Sequence, residues 1–284
     1  MSKASGPANP EPLMIAAKSV SEAYARTLLH IMSHPGKEIA PLVLTIEGFD
    51  QGYDIPEDLK VRTALDNLLK AKKYRDVENV AYTIFPQRLW TMAQGDRAKL
   101  FEFYRMAFPA YRAANPRLNG RGLYFERLMM YGRGPCDGNQ LEWILSQYES
   151  RSGVRRSMLQ ATTFDPERDH NGTARLGFPC LQHVSFIPVK AGLVANAFYA
   201  TQQLFDKAYG NYLGLAELAA FMAHEMGIPL ARLNVTIGVA KLERITKTDS
   251  AMKPLIEAAR ACVAPPAPAA QRPSPSLQLA AQPA

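Results

Sequence analysis

The sequence contains little cysteine: three residues in 284, namely Cys136, Cys180 and Cys262. Three thiols cannot form a framework of paired disulfides, and no two of them have the Cys-x-x-Cys spacing of a zinc site. The five histidines show no metal-ligand spacing either, so no metal centre is predicted. Because free thiols are typical of a reducing compartment, we expect a cytoplasmic protein.

Long apolar runs are also missing. No stretch approaches the roughly 18 consecutive apolar residues that a membrane-spanning helix needs, so no association with a membrane is predicted. Residues 1–12 contain three prolines and no apolar segment of the kind found in signal peptides. The sequence also lacks a glycine-rich phosphate loop and the nucleophile-elbow motif of hydrolases, so neither of those site types is predicted.

The charge balance is basic. There are 33 Lys and Arg residues against 26 Asp and Glu residues, which gives a net charge of +7. This excess favours anionic ligands such as nucleotides, phosphates or nucleic acid. The basic residues are scattered, with no Lys/Arg run interleaved with aromatic residues, so a solvated basic surface is favoured over a nucleic-acid interface.

Apolar periodicity predicts one folded domain over residues 13–262. Residues 1–12 and the Ala/Pro-rich residues 263–284 bury too little apolar area to offset their ordering entropy, so both segments are predicted to be disordered. The pattern predicts helices over 20–32, 61–71, 99–108, 138–152 and 212–226, and strands over 42–46, 154–163, 180–189, 192–201 and 233–239. Together these elements indicate an α+β domain whose sheet comes mainly from the second half of the chain.

Three motifs carry side chains suited to nucleotide chemistry. Cys180, just before a predicted strand, is either a small buried hydrophobe or a thiolate nucleophile activated by nearby arginines. Arg155 and Arg156, predicted to open a strand, are either a surface pair or a phosphate-binding pair at a strand end or subunit interface. Asn211, predicted just before a helix, is either its N-cap or an amide that matches the N3–H and C4=O edge of uracil.

Taken in order, these residues resemble thymidylate synthase, most of all its divergent archaeal and phage-type members. The similar positions are Tyr131-Gly132, Arg155-Arg156, Pro179-Cys180, Tyr199, Asn211 and Met222-Ala223-His224-Glu225. The match covers about residues 124–243. The resemblance implies an α+β fold in which a mixed sheet is packed with helices and one sheet face forms a homodimer.

The resemblance implies a transferase that moves a one-carbon unit from 5,10-methylenetetrahydrofolate to C5 of a pyrimidine nucleotide. Cys180 takes the place of the nucleophile that adds to C6, and Tyr131 that of a tyrosine near the ring. Arg155 and Arg156 take the place of an arginine pair that one subunit lends to the phosphate bound by its partner. Asn211 takes the place of the asparagine that reads the base, and it favours a uracil-type base over cytosine.

Several positions depart from the family pattern. Thr201 stands for a phosphate-binding arginine and Gln202 for a serine that touches phosphate. Lys241 and Glu243 stand for the His and Tyr that hold the sugar; Lys241 is expected to reach a phosphate and Glu243 to repel one. Gln87 lies nearest to the position of the catalytic glutamate and cannot relay protons as a carboxylate does.

These departures leave more than one function open. The first is one-carbon transfer to an altered nucleotide, with a methyl or a hydroxymethyl product, since the family's C-terminal closing segment is replaced by an Ala/Pro-rich tail. The alternative is a non-catalytic scaffold or nucleotide-binding protein of the same fold. A structural or nucleic-acid-binding protein is the third, and steep salt dependence of binding would reveal it.

Overall fold

The structure is a computed structural model that describes residues 10–49, 54–172 and 178–265. Of the segments predicted to be disordered, residues 1–9 and 266–284 lie outside the described residues, whereas Val263 is the last residue of a helix. Residues 10–12 are described, and the Glu11 carbonyl accepts a hydrogen bond of 3.2 Å from the Ala40 amide. The predicted α+β class is confirmed, because helices pack on one mixed, open sheet.

Seven strands of the described chain form this sheet. They are β1 (Leu13–Ala17), β2 (Glu38–Ile39), β3 (Leu42–Ile46), β4 (Gln160–Thr162), β5 (Leu181–Val189), β6 (Gly192–Gln203) and β7 (Leu230–Lys241). The order is β1-β3-β7-β6-β5-β4, and β2 also pairs with β7. Only β1/β3 and β6/β7 are parallel pairs, so β6 and β7 end at the same edge of the sheet, where Gln203 pairs with Lys241.

The helices lie before, between and after the strands. They are α1 (Val20–Ser33), α2 (Leu59–Ala71), α3 (Val77–Ala81), α4 (Gln87–Ala93), α5 (Arg97–Ala114), α6 (Pro116–Asn119), α7 (Tyr124–Met129), α8 (Gln140–Ser150), α9 (Pro166–Asp169), α10 (Ala208–Glu225) and α11 (Lys253–Val263). Aspartates cap several of them: Asp58 begins α2, Asp76 begins α3 and Asp96 begins α5, each accepting from an early backbone amide.

The prediction of a strand over 154–163 is wrong for its first half. Arg156–Met158 is a 3-10 turn, and the strand is confined to β4. The reason is the lack of a partner surface: Arg155 and Arg156 are exposed, and pairing with β5 begins at Gln160. The pattern does not predict β1, so the N-terminal part contributes more of the sheet than expected. It does not predict α11 either.

The two faces of the sheet differ in what covers them. On one face Leu44, Ala197 and Val235 are buried where α1 and α10 pack on β3, β6 and β7. The alternate side chains form what we call the open face, and none of them is buried: Val43, Thr45, Ser185, Asn196, Phe198, Asn234 and Thr236. A large aromatic side chain on this face, that of Phe198, is 39% exposed.

Two glycines bring α3 against the start of α10. A Cβ at Gly210 would lie 2.6 Å from Val80 Cβ, and a Cβ at Gly214 would lie 2.6 Å from the Ala81 carbonyl oxygen. Both distances are shorter than real Cβ contacts, so these positions require glycine for the helices to approach this closely. The close packing holds Val80 and Thr83 beside the first turns of α10, where a cavity opens.

Candidate functional site

A cavity of about 1090 Å³ opens where β6 and β7 end. Its walls come from the last residues of β6 and β7, the start of α10, α3 and the loop after it, the segment before α7, and the residues leading into β5. Three of the predicted site residues line it: Cys180, Asn211 and Lys241. These residues are about 30 positions apart from one to the next, so the fold alone brings them together.

Cys180 lies at one end of the cavity, directly before β5. Its carbonyl accepts a 3.0 Å hydrogen bond from the Ala200 amide, which fixes it against β6. The Thr201 hydroxyl donates to Cys180 Sγ over 3.8 Å. A neutral hydroxyl therefore contacts the thiol at the position where the resemblance expects an arginine.

Tyr124, the first residue of α7, lies beside Cys180. Its hydroxyl oxygen accepts from the Cys180 amide at 3.3 Å and from the Leu181 amide at 3.5 Å. Its ring stacks on Phe178, with the ring centres 5.0 Å apart. Burial, and then the neighbouring Cys180, raise the pKa of Tyr124 well above its usual range. The phenol therefore stays protonated at neutral pH and keeps a proton to donate.

Tyr131, predicted to lie near the reacting ring, does not line this cavity. The structure puts Tyr131 outside the cavity, after α7 has ended, where its hydroxyl donates to the Phe164 carbonyl over 3.2 Å. Arg133 lies over the Tyr131 ring at 5.8 Å. Tyr124, seven positions earlier, lines the cavity instead, and the Tyr-Gly motif at 131–132 gave no signal for this difference.

Asn211 is part of α10 rather than its N-cap. The helix begins at Ala208 with Lys207 as N-cap, and the Asn211 amide donates to the Lys207 carbonyl over 2.9 Å. The residue is only 6% exposed, yet it lines the cavity and its side-chain amide forms no hydrogen bond with a described residue. Since buried polar groups are nearly always hydrogen-bonded, this amide is available to a ligand.

Gln202 also lines the cavity and is only 3% exposed. The Tyr212 hydroxyl donates to Gln202 Oε1 over 2.8 Å, which fixes the orientation of the amide. The Nε2 atom of Gln202 is buried with no hydrogen-bond partner among the described residues. The resemblance expects a serine hydroxyl at this position. The Gln202 side chain instead has its oxygen hydrogen-bonded to Tyr212 and its NH₂ group without a partner among the described residues.

Lys241 and Glu243 line the far rim of the cavity. Lys241 Nζ lies 2.9 Å from Glu38 Oε1, and this hydrogen bond and ion pair raise the pKa of Lys241. The charge of Lys241 is thus already paired, which weakens the expectation that it serves a phosphate. Glu243 is exposed, and its Oε2 accepts from Gln203 Nε2 over 3.4 Å.

Three further basic residues, which no sequence pattern predicts, line the cavity: Arg75, Lys207 and Arg244, which we call the cation cluster. Arg244 Nη1 lies 3.3 Å and Lys207 Nζ 3.7 Å from Oδ2 of Asp206, a buried carboxylate. Arg75 Nη2 donates to Asn119 Oδ1 over 3.2 Å. Burial lowers the pKa of both Arg75 and Lys207, which indicates that water solvates these cations poorly.

The remaining predicted residues lie apart from the cavity. Arg155 and Arg156 are exposed in the turn before β4, and Gln87 is the first residue of α4. None of the three lines the cavity of its own chain. The resemblance expects the arginine pair to act in the partner's site, so its position outside this chain's cavity does not conflict with that role.

No protein-family model matches the chain, and a comparison with curated proteins finds no match either. Among the described residues, no group of three or more His, Cys, Asp or Glu side chains is arranged to hold a metal ion. The helices of the described chain include none that is both long enough and apolar enough to cross a membrane.

Proposed function

We propose that this chain is a thymidylate-synthase-like transferase that joins a one-carbon unit to C5 of a uracil-type pyrimidine nucleotide. The observation that carries the proposal is the shared cavity of Cys180, Asn211 and Lys241. The resemblance assigns these three positions to the nucleophile, the base-reading amide and the sugar end of the ligand. A chance resemblance would not be expected to gather them at one edge of a sheet.

Cys180 supplies the nucleophile. Its thiolate adds to C6 of the pyrimidine, the Sγ–C6 bond forms, and the electron pair of the C5–C6 bond moves towards C5 and the C4 carbonyl. The Tyr124 hydroxyl accepts from the Cys180 backbone amide, and the Thr201 hydroxyl donates to Cys180 Sγ, so the residue and its thiol are held in position. C5 becomes the nucleophile of the next step, and the Sγ–C6 bond breaks again once the C5 proton has left.

Asn211 orients the base and stabilises the charge that develops on it. Its amide oxygen accepts from N3–H and its NH₂ group donates to the C4 carbonyl oxygen, where negative charge grows as C6 is attacked. The amide is buried and has no competing partner among the described residues, so little reorganisation is needed on binding.

Glu243 is the one carboxylate among the described lining residues, and it is the candidate acceptor for the C5 proton.

The cavity is also suited to 5,10-methylenetetrahydrofolate. Its volume of about 1090 Å³ exceeds what a mononucleotide fills, since pockets for drug-sized ligands span roughly 300–1,000 Å³. The stacked rings of Phe178 and Tyr124 offer an aromatic surface to a pterin ring next to Cys180. When bound, this cofactor supplies the one-carbon unit at the oxidation level of formaldehyde.

The proposal includes a homodimer formed through the open face. This face mixes small polar and apolar side chains and carries the exposed Phe198. Three of its polar members are linked to each other: Asn234 Nδ2 donates to Asn196 Oδ1 over 2.9 Å, and Asn196 Nδ2 donates to Ser185 Oγ over 3.3 Å. A face of this kind can be buried by a second copy without leaving those amides unpaired.

Release of tritium from C5 tests the proposal. Purified protein is mixed with the folate and a panel of pyrimidine mononucleotides labelled at C5, and wild type is compared with Cys180→Ser. The matched control is Cys262→Ser, since Cys262 is another half-buried thiol that lies outside the cavity. We expect release by wild type and Cys262→Ser only. Release that persists in Cys180→Ser, or none from folded, dimeric wild type, would overturn the proposal.

A second candidate is nucleotide binding without turnover. It is favoured by the neutral Thr201 beside Cys180, which supplies no positive charge to activate the thiol, and by the position of Gln87 away from the cavity. Tight binding of a pyrimidine nucleotide together with no tritium release would favour this function over catalysis.

A further inference from the structure

The cation cluster carries more positive charge than its surroundings compensate. Arg244 and Lys207 share the one buried carboxylate of Asp206. Arg75 has only the neutral Asn119 as a hydrogen-bond partner, and no carboxylate of the described chain lies within ion-pair distance of it. Lys241, by contrast, is already paired with Glu38. Three cations therefore face one side of the cavity with one buried counter-charge between them.

The start of α10 adds to this positive potential. The helix has 18 residues, its first turn contains no acidic residue, and its N-cap Lys207 makes no side-chain capping hydrogen bond. The first amides of a helix have no partners within the helix, and its dipole places partial positive charge at this end. An uncapped N-terminus that faces a cavity next to basic side chains is suited to an anion.

A buried and unpartnered side chain points to a ligand at the same place. Asn211 lies one turn into α10, lines the cavity at 6% exposure, and has a side-chain amide without a hydrogen bond to the described residues. Gln202 lines the same cavity at 3% exposure, and its buried Nε2 atom has no hydrogen-bond partner among the described residues. Leaving such an amide donor unsatisfied costs about 1–3 kcal/mol, so a bound molecule is its expected partner. The cation cluster and this amide are thus suited to one ligand that has both a charged part and a hydrogen-bonding part.

We propose that Arg75, Lys207 and Arg244, together with the N-terminus of α10, bind the phosphate group of the ligand within a single protomer. This assignment deepens the proposed function and rests on it only for the identity of the ligand. It gives the phosphate a site on the same chain as Cys180 and Asn211. The exposed pair Arg155 and Arg156, which the resemblance assigns to a partner's phosphate, is then not the main source of phosphate affinity.

The contacts of the cation cluster favour an anion-binding site over a set of ion pairs that serve only to stabilise the fold. The Arg244 guanidinium lies over the Tyr74 ring at 5.6 Å, which holds it in place while leaving its other donors towards the cavity. The buried Asp206 keeps Lys207 and Arg244 close to each other despite their repulsion. A phosphate brings the remaining positive charge close to balance, and arginine guanidinium groups bind its oxygens bidentately.

The test compares inorganic phosphate, a pyrimidine nucleoside and its 5′-monophosphate by calorimetry on the full chain. Arg75→Gln and Arg244→Gln probe the cluster, the double variant Arg155→Gln/Arg156→Gln probes the competing assignment, and Arg105→Gln is the control on an exposed arginine of α5. Circular dichroism verifies that each variant is folded. Arg244 is 45% exposed in its side chain, so its replacement does not threaten the core.

In wild type we expect the monophosphate to bind at least tenfold more tightly than the nucleoside. We expect Arg75→Gln and Arg244→Gln each to reduce this ratio by about fivefold to tenfold, and Arg105→Gln to leave it unchanged. The proposal is overturned if both cluster variants keep the full ratio, or if only the Arg155→Gln/Arg156→Gln protein loses it. Absence of any phosphate effect in wild type overturns it as well.

The same experiment separates this inference from the proposed function. If inorganic phosphate binds in an Arg75-dependent way but no pyrimidine nucleotide does, the anion site stands and the proposed substrate is wrong. If the nucleotide binds and releases C5 tritium while the cluster variants behave as wild type, the proposed function stands and the anion site is wrong.

Discussion

The two ends of the cavity are built on different principles. At the Cys180 end the neighbours are neutral, and Tyr124 and Thr201 contact the thiol and the backbone around it through hydrogen bonds. At the other end Arg75, Lys207 and Arg244 present charge around one buried carboxylate. One end therefore positions groups at short range, whereas the other attracts a ligand by its electrostatic potential.

The difference between the two ends lies in the range over which each interacts with a ligand. Charge acts over a longer range than a hydrogen bond and tolerates small changes in geometry. The cationic end is therefore suited to capture and anchor a ligand, and under the proposed function the neutral end aligns the reacting atoms. Both ends depend on α10, because Lys207 is its N-cap, Asn211 lies in its first turn and α3 packs closely on it.

The largest expected effect comes from a substitution that removes the common support of both ends. In Gly214→Leu the new Cβ would lie 2.6 Å from the Ala81 carbonyl oxygen, so α3 must move away from α10. We expect the free energy of unfolding to fall by about 3 kcal/mol or more, with loss of ligand binding at both ends. Denaturant unfolding measures the change. Gly172→Leu, at a position with open space around it, should change stability far less; equal effects would contradict the packing argument.

The next effect concerns Glu217, which lies further along α10. Burial, followed by the charges of Glu78 and Glu57, raises the pKa of Glu217 to about 8, and Arg62 acts in the opposite direction. The folded state therefore binds a proton that the unfolded chain has lost, so the free energy of unfolding decreases as pH rises from about 5 to about 8. Glu217→Gln should flatten this dependence and gain on the order of 2–4 kcal/mol at pH 8 relative to wild type.

Unfolding curves between pH 5 and pH 9 measure the effect of Glu217→Gln. The control is Glu102→Gln, because Glu102 is an exposed residue of α5. Parallel pH profiles for wild type and Glu217→Gln would show that Glu217 is not buried as an acid. In that case the α3–α10 junction is more open to water than the structure indicates.

A third prediction concerns a variant in which the Cys180 end of the cavity also carries a positive charge. Thr201→Arg places a cation next to Cys180, where the Thr201 hydroxyl now lies 3.8 Å from Sγ. A nearby cation lowers the pKa of a thiol by about one unit, so alkylation of Cys180 by iodoacetamide at pH 7 should become about tenfold faster. The pH profile of the alkylation rate measures this change. Thr248→Arg, on an exposed residue outside the cavity, serves as control; an unchanged rate in Thr201→Arg would refute the contact.

The smallest effect is that of salt. Raising the ionic strength from about 0.05 M to about 0.2 M should weaken binding of a nucleoside monophosphate about twofold to threefold through screening at the cationic end. Binding of the uncharged nucleoside, and the alkylation rate of Cys180, should not change. Titration calorimetry at the two salt concentrations measures the difference, and an equal salt effect on both ligands would argue against a division of the cavity into two ends.

The sequence predicts those parts of the molecule that depend on local pattern. The strands β5 and β6 and most of α10 follow from short apolar periods and from turn residues between them. The grouping of Cys180 with Asn211 follows from the resemblance, and both residues line one cavity. Local periodicity fails for β4, because whether residues 154–159 pair with a strand depends on the neighbour across the sheet.

The rest of the site depends on contacts between distant parts of the chain. Arg75 precedes α3 and reaches the cavity only because Gly210 and Gly214 allow α3 to pack on α10. A single arginine in a solvated loop carries no pattern that distinguishes it from other basic residues. Tyr124 is equally hidden, because its role follows from the fit of α7 against the residues before β5 rather than from a motif.

The most direct test of the account is a covalent trap at Cys180. A 5-fluoro pyrimidine nucleotide lets the thiolate add to C6, but fluorine cannot leave C5 as the proton does, so the adduct accumulates. With the folate present, intact-mass spectrometry should show one adduct per chain in wild type and in Cys262→Ser and none in Cys180→Ser, with the modified peptide containing residue 180. A protein that binds the nucleotide tightly yet forms no adduct at Cys180 would contradict the central claim that this cavity activates a pyrimidine ring.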